Sequence, residues 1–305
     1  GGAAAIEEAF RSHQVSGRVS PLTVPAFMPN APAAHIAMRA GLHGPVYTYS
    51  IACASSAIAI AEAAKAVACG DIPCAIAGGS EALLVPGVVR AWQALRTLAS
   101  ADGYNPSQAC RPFSADRTGL ALGEGATFLI LETWDAAIAR GARIYAEFAG
   151  SGVSCDATHL TKPDASGQVR ALKAALRNSG LSAHEIGYCN AHGTATLVGD
   201  AVECDALGRV WGDSLPGLAV SSTKSMHGHL LGGAGALEAA ITALAVYRSA
   251  LPPNMHCDFA DPACNVSLVR EPGLDAHGLQ AAISNSFAFG GTNAVLVFRR
   301  TSLPH

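Results

Sequence analysis

Charge is scarce in this sequence: only 14% of its 305 residues are Asp, Glu, Lys or Arg, and the formal net charge is -3. That scarcity excludes two classes. A disordered chain is poor in apolar residues, whereas 50% of these are hydrophobic, enough for a large buried core. A nucleic-acid binder needs a basic face, for which a sparsely charged, net-negative chain gives no support. Long apolar runs are missing too, since none reaches the roughly 18 to 20 residues of a membrane span. The nine cysteines form no CxxC pair. An odd, scattered count fits neither a disulfide framework nor a zinc ribbon, so a reducing cytoplasm is the expected compartment. The opening, GGAAAIEEAFRS, has no basic n-region, no apolar signal core and no initiator methionine. The sequence is therefore expected to have been cut from a longer chain, or to work beside a second one.

What is present alternates. Strand-like runs occur at 45–52 (PVYTYSIA), 74–79 (CAIAGG), 126–132 (ATFLILE), 143–154 (RIYAEFAGSGVS), 188–193 (YCNAHG), 218–223 (LAVSST), 281–287 (AAISNSF) and 294–300 (AVLVFRR), with helical stretches between most of them. Two helical stretches, after Cys53 and at 232–250, are alanine-rich and apolar nearly all round, the signature of helices covered on both sides. Gly70 falls where the first should end. This pattern predicts α/β layering, with a division near residue 150 into halves 1–150 and 151–305. The polar stretches 99–118 and 155–168 are long for idle loops.

Cys53 sits in YSIACASSAIAI, at the junction of a strand-like run and an apolar helix. There the sulfur would lie at the positive end of the helix, where thiolate is favoured. Taken alone, a cysteine is more often a small buried hydrophobe, and the other eight are read that way. His192 in NAHGTATLVGD stands beside Gly193, which permits close backbone approach, and near the hydroxyls of Thr194 and Thr196, which can hold a polar ligand arm. The segment SSTKSMHGHLLGGAGALE supplies Lys224, His227 and His229. Lys224 needs a partner on entering an apolar helix, and Glu238 is the candidate. In NSFAFGGTN, Phe289 precedes a Gly-Gly turn able to present backbone N–H groups to an oxyanion.

Together and in this order, IACASS, NAHGTAT, STKSMHGHLLGGAGALE and NSFAFGGTN resemble the elongating β-ketoacyl-acyl carrier protein synthases of the thiolase superfamily. The resemblance extends to AIAGGSEALL, RPFSADRTGLALGEGA and PPNMH, and so over essentially the whole chain. It implies a thiolase-like layered α/β/α/β/α fold with two related halves, the N-terminal one incomplete. It also implies that Cys53 takes an acyl chain from acyl carrier protein, and that His192 and His229 stabilise the enolate formed as malonyl-carrier protein loses carbon dioxide. By the same resemblance Lys224 orders the histidines through Glu238. Cys53 and Phe289 supply the oxyanion N–H groups, Phe289 is a gatekeeper ring, and Thr194 and Thr196 hold the phosphopantetheine arm. No cofactor of the enzyme's own and no metal are implied. The implied partners are acyl carrier protein and a second copy of the chain, or a related subunit in a heterodimer. The strand before Cys53 and the helix after it are the expected contact.

Three departures stand out. Relatives carry a further stretch before the equivalent of Gly1. His227 replaces a small hydroxyl residue, though no carboxylate or cysteine stands at metal-ligand spacing beside it. Ala288 replaces a glycine before the gatekeeper, which restricts a swing of the loop. A thiolase proper would add a cysteine near the C-terminus, an initiating synthase would pair histidine with asparagine, and a dinucleotide-binding enzyme would show G-x-G-x-x-G after a strand. None of these is found. The remaining rival is a non-catalytic chain-length-factor-like subunit, but such subunits lack the cysteine. Fatty acid, polyketide and aryl-polyene synthesis share the quoted residues. For docking an acidic carrier protein, Arg90, Arg96 and Arg111 are the candidate contacts.

Overall fold

The computed structural model describes residues 2–101 and 105–301; residues 102–104 of the polar stretch 99–118 lie outside them. The chain opens with helices α1 (Ala3–Ser16), α2 (Thr23–Phe27) and α3 (Ala31–Ala40), in which only Ala31 is buried. Next come α4 (Ser55–Ala68), β1 (Cys74–Glu81), α5 (Pro86–Ala94), β2 (Gly125–Glu132) and α6 (Trp134–Ala139). After residue 145 follow β3 (Glu147–Cys155), α7 (Ala165–Ser179), β4 (Tyr188–Asn190), α8 (Leu197–Trp211), β5 (Ala219–Ser221), α9 (Lys224–His227) and α10 (Ala234–Arg248). Three two-residue strands, β6 (Ala250–Leu251), β7 (Ser267–Leu268) and β8 (Leu274–Asp275), lead to the pair β9 (Ala281–Phe287) and β10 (Thr292–Arg299).

Six strands form one sheet in the order β3-β10-β9-β4-β5-β7. Strand β10 runs antiparallel to both neighbours, while β4 is parallel to β5 and β9. Every residue of β9 is buried, as a strand covered on both faces requires, which explains its run of small and apolar residues. Helix α7 packs on β3 and β10 and against α8 on one face. On the other face lie α4 and α10, which touch each other and also pack against the β1–β2 pair. The two apolar helices are thus sandwiched between sheets, as their near-absence of charge predicts. Gly70, in the left-handed region at φ 77°, follows α4.

The N-terminal sheet has two strands among the described residues, against six in the C-terminal one. Its outer face leaves Ile76, Phe128 and Ile130 exposed. The run 45–52, read as a strand, forms no ladder: residues 45–51 have no regular structure and 52 begins a short 3₁₀ turn. Its residues suit a strand, but pairing needs a neighbour, and the described residues supply none. The run 188–193 is strand only to Asn190: the Ala191 N–H still donates to the Ser221 carbonyl of β5, but those of His192 and Gly193 turn to the side chain of Glu203 rather than to a strand. Of the eight cysteines read as buried, Cys69, Cys74 and Cys155 are exposed. No helix of the described residues is long and apolar enough to cross a membrane.

Candidate active site

Cys53 lies within a 3₁₀ turn, Ala52–Ala54, that leads into α4. Ala52 is in the left-handed region, φ 43°, an unusual place for an alanine and the mark of a sharp elbow. The turn is fixed by Ser55, whose hydroxyl donates to the Ala52 carbonyl at 2.7 Å and accepts the Ile51 N–H at 2.8 Å. The Cys53 sulfur is buried and lies 3.0 Å from Nε2 of His229. His229 is buried too, its backbone bridged to the 121–123 segment through Ala121 and Gly123. The His192 ring stands edge-on to that of His229, with centroids 5.3 Å apart.

Behind the histidines lies a buried ion pair. Lys224, on α9, contacts Glu238 Oε1 on α10, and both side chains are wholly buried. Its ammonium is also 3.5 Å from Nδ1 of His192. An ammonium can only donate, so Nδ1 accepts and the other nitrogen of a neutral His192 carries the proton. Both histidines are held well below the ordinary imidazole range, first by burial and then by Lys224. They are neutral hydrogen-bonding groups at pH 7. Burial pushes Glu238 up to about 7 against the pull of Lys224.

The expected thiolate is corrected by the same physics. Burial pushes the Cys53 thiol up to about 11, outweighing Lys224 and the backbone N–H groups of Phe289 and Cys53, which favour the anion. A 3₁₀ turn inserted before α4 also gives less than the full helix end the sequence suggested. The two N–H groups nonetheless converge on the sulfur, where an oxyanion on a carbon bonded to it would form.

The three groups end a cavity of about 370 Å³ whose walls include Thr194, Thr196 and Phe289. The two threonine hydroxyls are 3.0 Å apart. Phe289 lies in the turn between β9 and β10, where Ala288 N–H donates to the Thr292 carbonyl at 2.8 Å. Gly193 has φ 30°, and a Cβ there would come within 2.6 Å of the Ser222 Cβ, so the loop carrying His192 depends on glycine. His227 points elsewhere: Nδ1 donates to the Gly228 carbonyl at 2.7 Å and Nε2 accepts from Thr223 at 3.1 Å.

Cys53, His192 and His229 offer three ligand atoms within 4.8 Å of one another, the donor set of a thiophilic metal. The proton arrangement opposes that use. With Nδ1 of His192 accepting from Lys224, the remaining nitrogen is a donor and not a ligand.

Four residues of the site escaped the sequence reading. Glu203 of α8 accepts the N–H groups of His192 and Gly193 at 2.9 and 2.8 Å, and Asn285 of β9 donates to it at 2.9 Å. Asp200, one turn earlier, accepts the Phe113 N–H at 2.8 Å, and burial pushes it up to about 7. Arg117 lies 3.5 Å from Asp200 and donates to the carbonyls of Thr196 and Leu197 at 3.2 and 2.8 Å, fixing the threonine loop. Two carboxylates three residues apart in the apolar stretch VGDAVECDALG were the available signal. Conversely, Arg111 is buried and bonded to Asp116 at 2.8 Å, so it is not a docking contact. Arg90 and Arg96 are exposed.

The chain matches the family models of the beta-ketoacyl synthase N-terminal domain over residues 2–137 and C-terminal domain over residues 145–258. It is 42% identical over 298 residues to Nodulation protein E of Rhizobium sp. (strain N33), covering 97% of this chain and 72% of that protein. To 3-oxoacyl-[acyl-carrier-protein] synthase 2 of Rhizobium meliloti (strain 1021) it is 41% identical over 285 residues, covering 93% and 67%. Among solved structures, a type II PKS acyl-carrier protein in complex with its ketosynthase bound to the hexaketide matches with a TM-score of 0.94 at 30% identity, over 99% of this chain and 76% of that one. The chain belongs to the beta-ketoacyl synthase family.

Proposed function

We propose that the protein carries out a decarboxylative Claisen condensation, joining an acyl group delivered by acyl carrier protein to malonyl-acyl carrier protein and releasing β-ketoacyl-acyl carrier protein. The observation that carries this reading is the meeting of Cys53, His192 and His229 at the end of one cavity. Cys53 attacks the acyl thioester and its proton passes to the departing carrier sulfur as the carbon–sulfur bond forms, while the neutral His229, with Nε2 3.0 Å away, donates a hydrogen bond to the cysteine sulfur. The carrier thiol is released and acyl-Cys53 remains. Malonyl-carrier protein then enters, and the two imidazoles hydrogen-bond its thioester oxygen as the carboxylate departs as carbon dioxide and enolate charge develops. The enolate carbon attacks acyl-Cys53. The resulting oxyanion sits against the N–H groups of Cys53 and Phe289, and collapse expels Cys53 as a thiolate, which takes a proton from water to return to the resting thiol. Lys224, paired with Glu238, keeps His192 in its donor form. Thr194 and Thr196 hold the phosphopantetheine arm, and the Phe289 ring gates the passage.

The same proposal includes a division into halves 1–150 and 151–305, a homodimer, action in the cytoplasm, and substrates carried on phosphopantetheine with no cofactor of the enzyme's own. The non-catalytic subunit reading is disfavoured by the retained cysteine beside two neutral imidazoles. Intact mass spectrometry after incubation with an acyl-acyl carrier protein tests the reading. An acyl adduct is expected on the wild type and none on Cys53→Ala; a missing wild-type adduct overturns it. His192→Ala should still acylate but release carbon dioxide from malonyl-carrier protein about 10²- to 10³-fold more slowly, the usual effect of removing one oxyanion donor. Decarboxylation at the wild-type rate would take His192 out of that step.

A further inference from the structure

The Phe289 ring does not fold back onto its own turn. It stacks on Trp92, with ring centroids 6.0 Å apart and planes inclined by 24°. Trp92 comes from α5, a helix that buries none of its residues. The start of α5 is held by Glu7 of α1, which accepts the Gly87 N–H at 3.2 Å. Both rings line the cavity that ends at Cys53. The turn beside Phe289 is tied down at each of its two glycines: Gly290 N–H donates to the Leu160 carbonyl at 2.7 Å, and Asp156 N–H donates to the Gly291 carbonyl at 2.8 Å. With the backbone held, the side-chain torsions of Phe289 are the free coordinate.

We propose that Trp92 is the latch of the gate: its indole holds the Phe289 ring across the passage and sets how often long acyl chains reach Cys53. This rests on the gating role given to Phe289 above. The latch is a positioning residue, since it acts through Phe289. An aromatic pair contributes about 0.5 to 1.5 kcal/mol beyond area burial, so breaking the stack should open the gate about two- to twelve-fold more often.

Alkylation of Cys53 by an N-octyl iodoacetamide, followed by peptide mass mapping, tests this without needing any condensing activity, so failure of the latch is distinguishable from failure of the proposed reaction. Trp92→Ala should raise the rate of Cys53 alkylation about two- to twelve-fold, while Trp92→Phe, which keeps a ring in place, should stay within about twofold of wild type. In a Phe289→Ala background Trp92→Ala should add nothing, because no ring remains to be held. Unfolding of the variants would be seen as alkylation of the other buried cysteines, and the Trp92→Phe and Phe289→Ala single variants then carry the comparison through their rates with octyl against unsubstituted iodoacetamide. An unchanged rate in Trp92→Ala, or equal acceleration with and without the Phe289 ring, overturns the latch.

Discussion

At the scale of single residues, the site works by keeping its groups neutral until they react. Cys53 is a thiol at physiological pH because burial raises it to about 11, and its imidazole neighbours are neutral because burial and Lys224 keep protons off them. The thiolate then exists only as the attack proceeds, which protects a buried sulfur from stray electrophiles. The sign of the pH dependence follows. With a raised thiol pKa, the thiolate fraction climbs about tenfold per pH unit throughout the range below 11. Alkylation of Cys53 by iodoacetamide should therefore rise steadily from pH 7 to 9. A plateau at or below pH 8 would show that the thiolate is already formed and that the burial argument is wrong. Lys224 was legible as a cation needing a partner and Glu238 as its counter-charge, whereas Cys53, His192 and His229 became legible as a site only through the order of the motifs that carry them. Glu203 and Arg117 were not: the carboxylates of VGDAVECDALG mark groups in an apolar stretch, but only the fold shows that backbone N–H groups meet Glu203 and that backbone carbonyls meet Arg117.

At the scale of elements, the positions of sulfur and imidazole are set by how closely α4 and α10 cross. Gly235, in the first turn of α10, faces the first turn of α4: a Cβ there would lie 2.9 Å from the backbone nitrogen and from the Cβ of Ala57. A backbone atom cannot give way as a flexible side chain can, so any added atom must push the helices apart. Cys53 stands four residues before Ala57 and His229 six before Gly235, so the displacement falls on the 3.0 Å contact between them. Gly235→Ala should cost about 1 to 3 kcal/mol of stability, as overpacking does, and slow acylation of Cys53 by more than the unfolded fraction explains. Urea denaturation and single-turnover acylation measure the two effects. Wild-type acylation in a destabilised variant would mean that the crossing does not set the site. These helices were legible because an apolar surface all round has one physical meaning. The crossing itself was not, since GGAGALE gives no sign of which glycine meets which neighbour.

At the scale of the whole molecule, the six-stranded sheet and the sandwiched helices follow from alternation that is local in sequence, whereas the run 45–52 shows where local reading ends. PVYTYS has the residues of a strand, yet it pairs with nothing, and none of the backbone N–H groups from 43 to 50 finds a backbone partner among the described residues. Tyr47 is 73% exposed and Val46 45%. Unpaired backbone and exposed apolar side chains together make a template for another strand. The run leads directly into the Cys53 elbow, so a partner bound to it would also brace the nucleophile. A second copy of the same run, paired antiparallel across a two-fold axis, satisfies both sets of backbone groups with one interface. Sedimentation velocity should then give a dimer for the wild type. Tyr47→Asp places two carboxylates near the axis, where like charges are disfavoured across a strand pair. That variant should shift toward monomer while keeping its far-ultraviolet circular dichroism, and its acylation should slow as the brace is lost. A wild-type monomer, or a Tyr47→Asp variant as dimeric as the wild type, would put the dimer contact elsewhere.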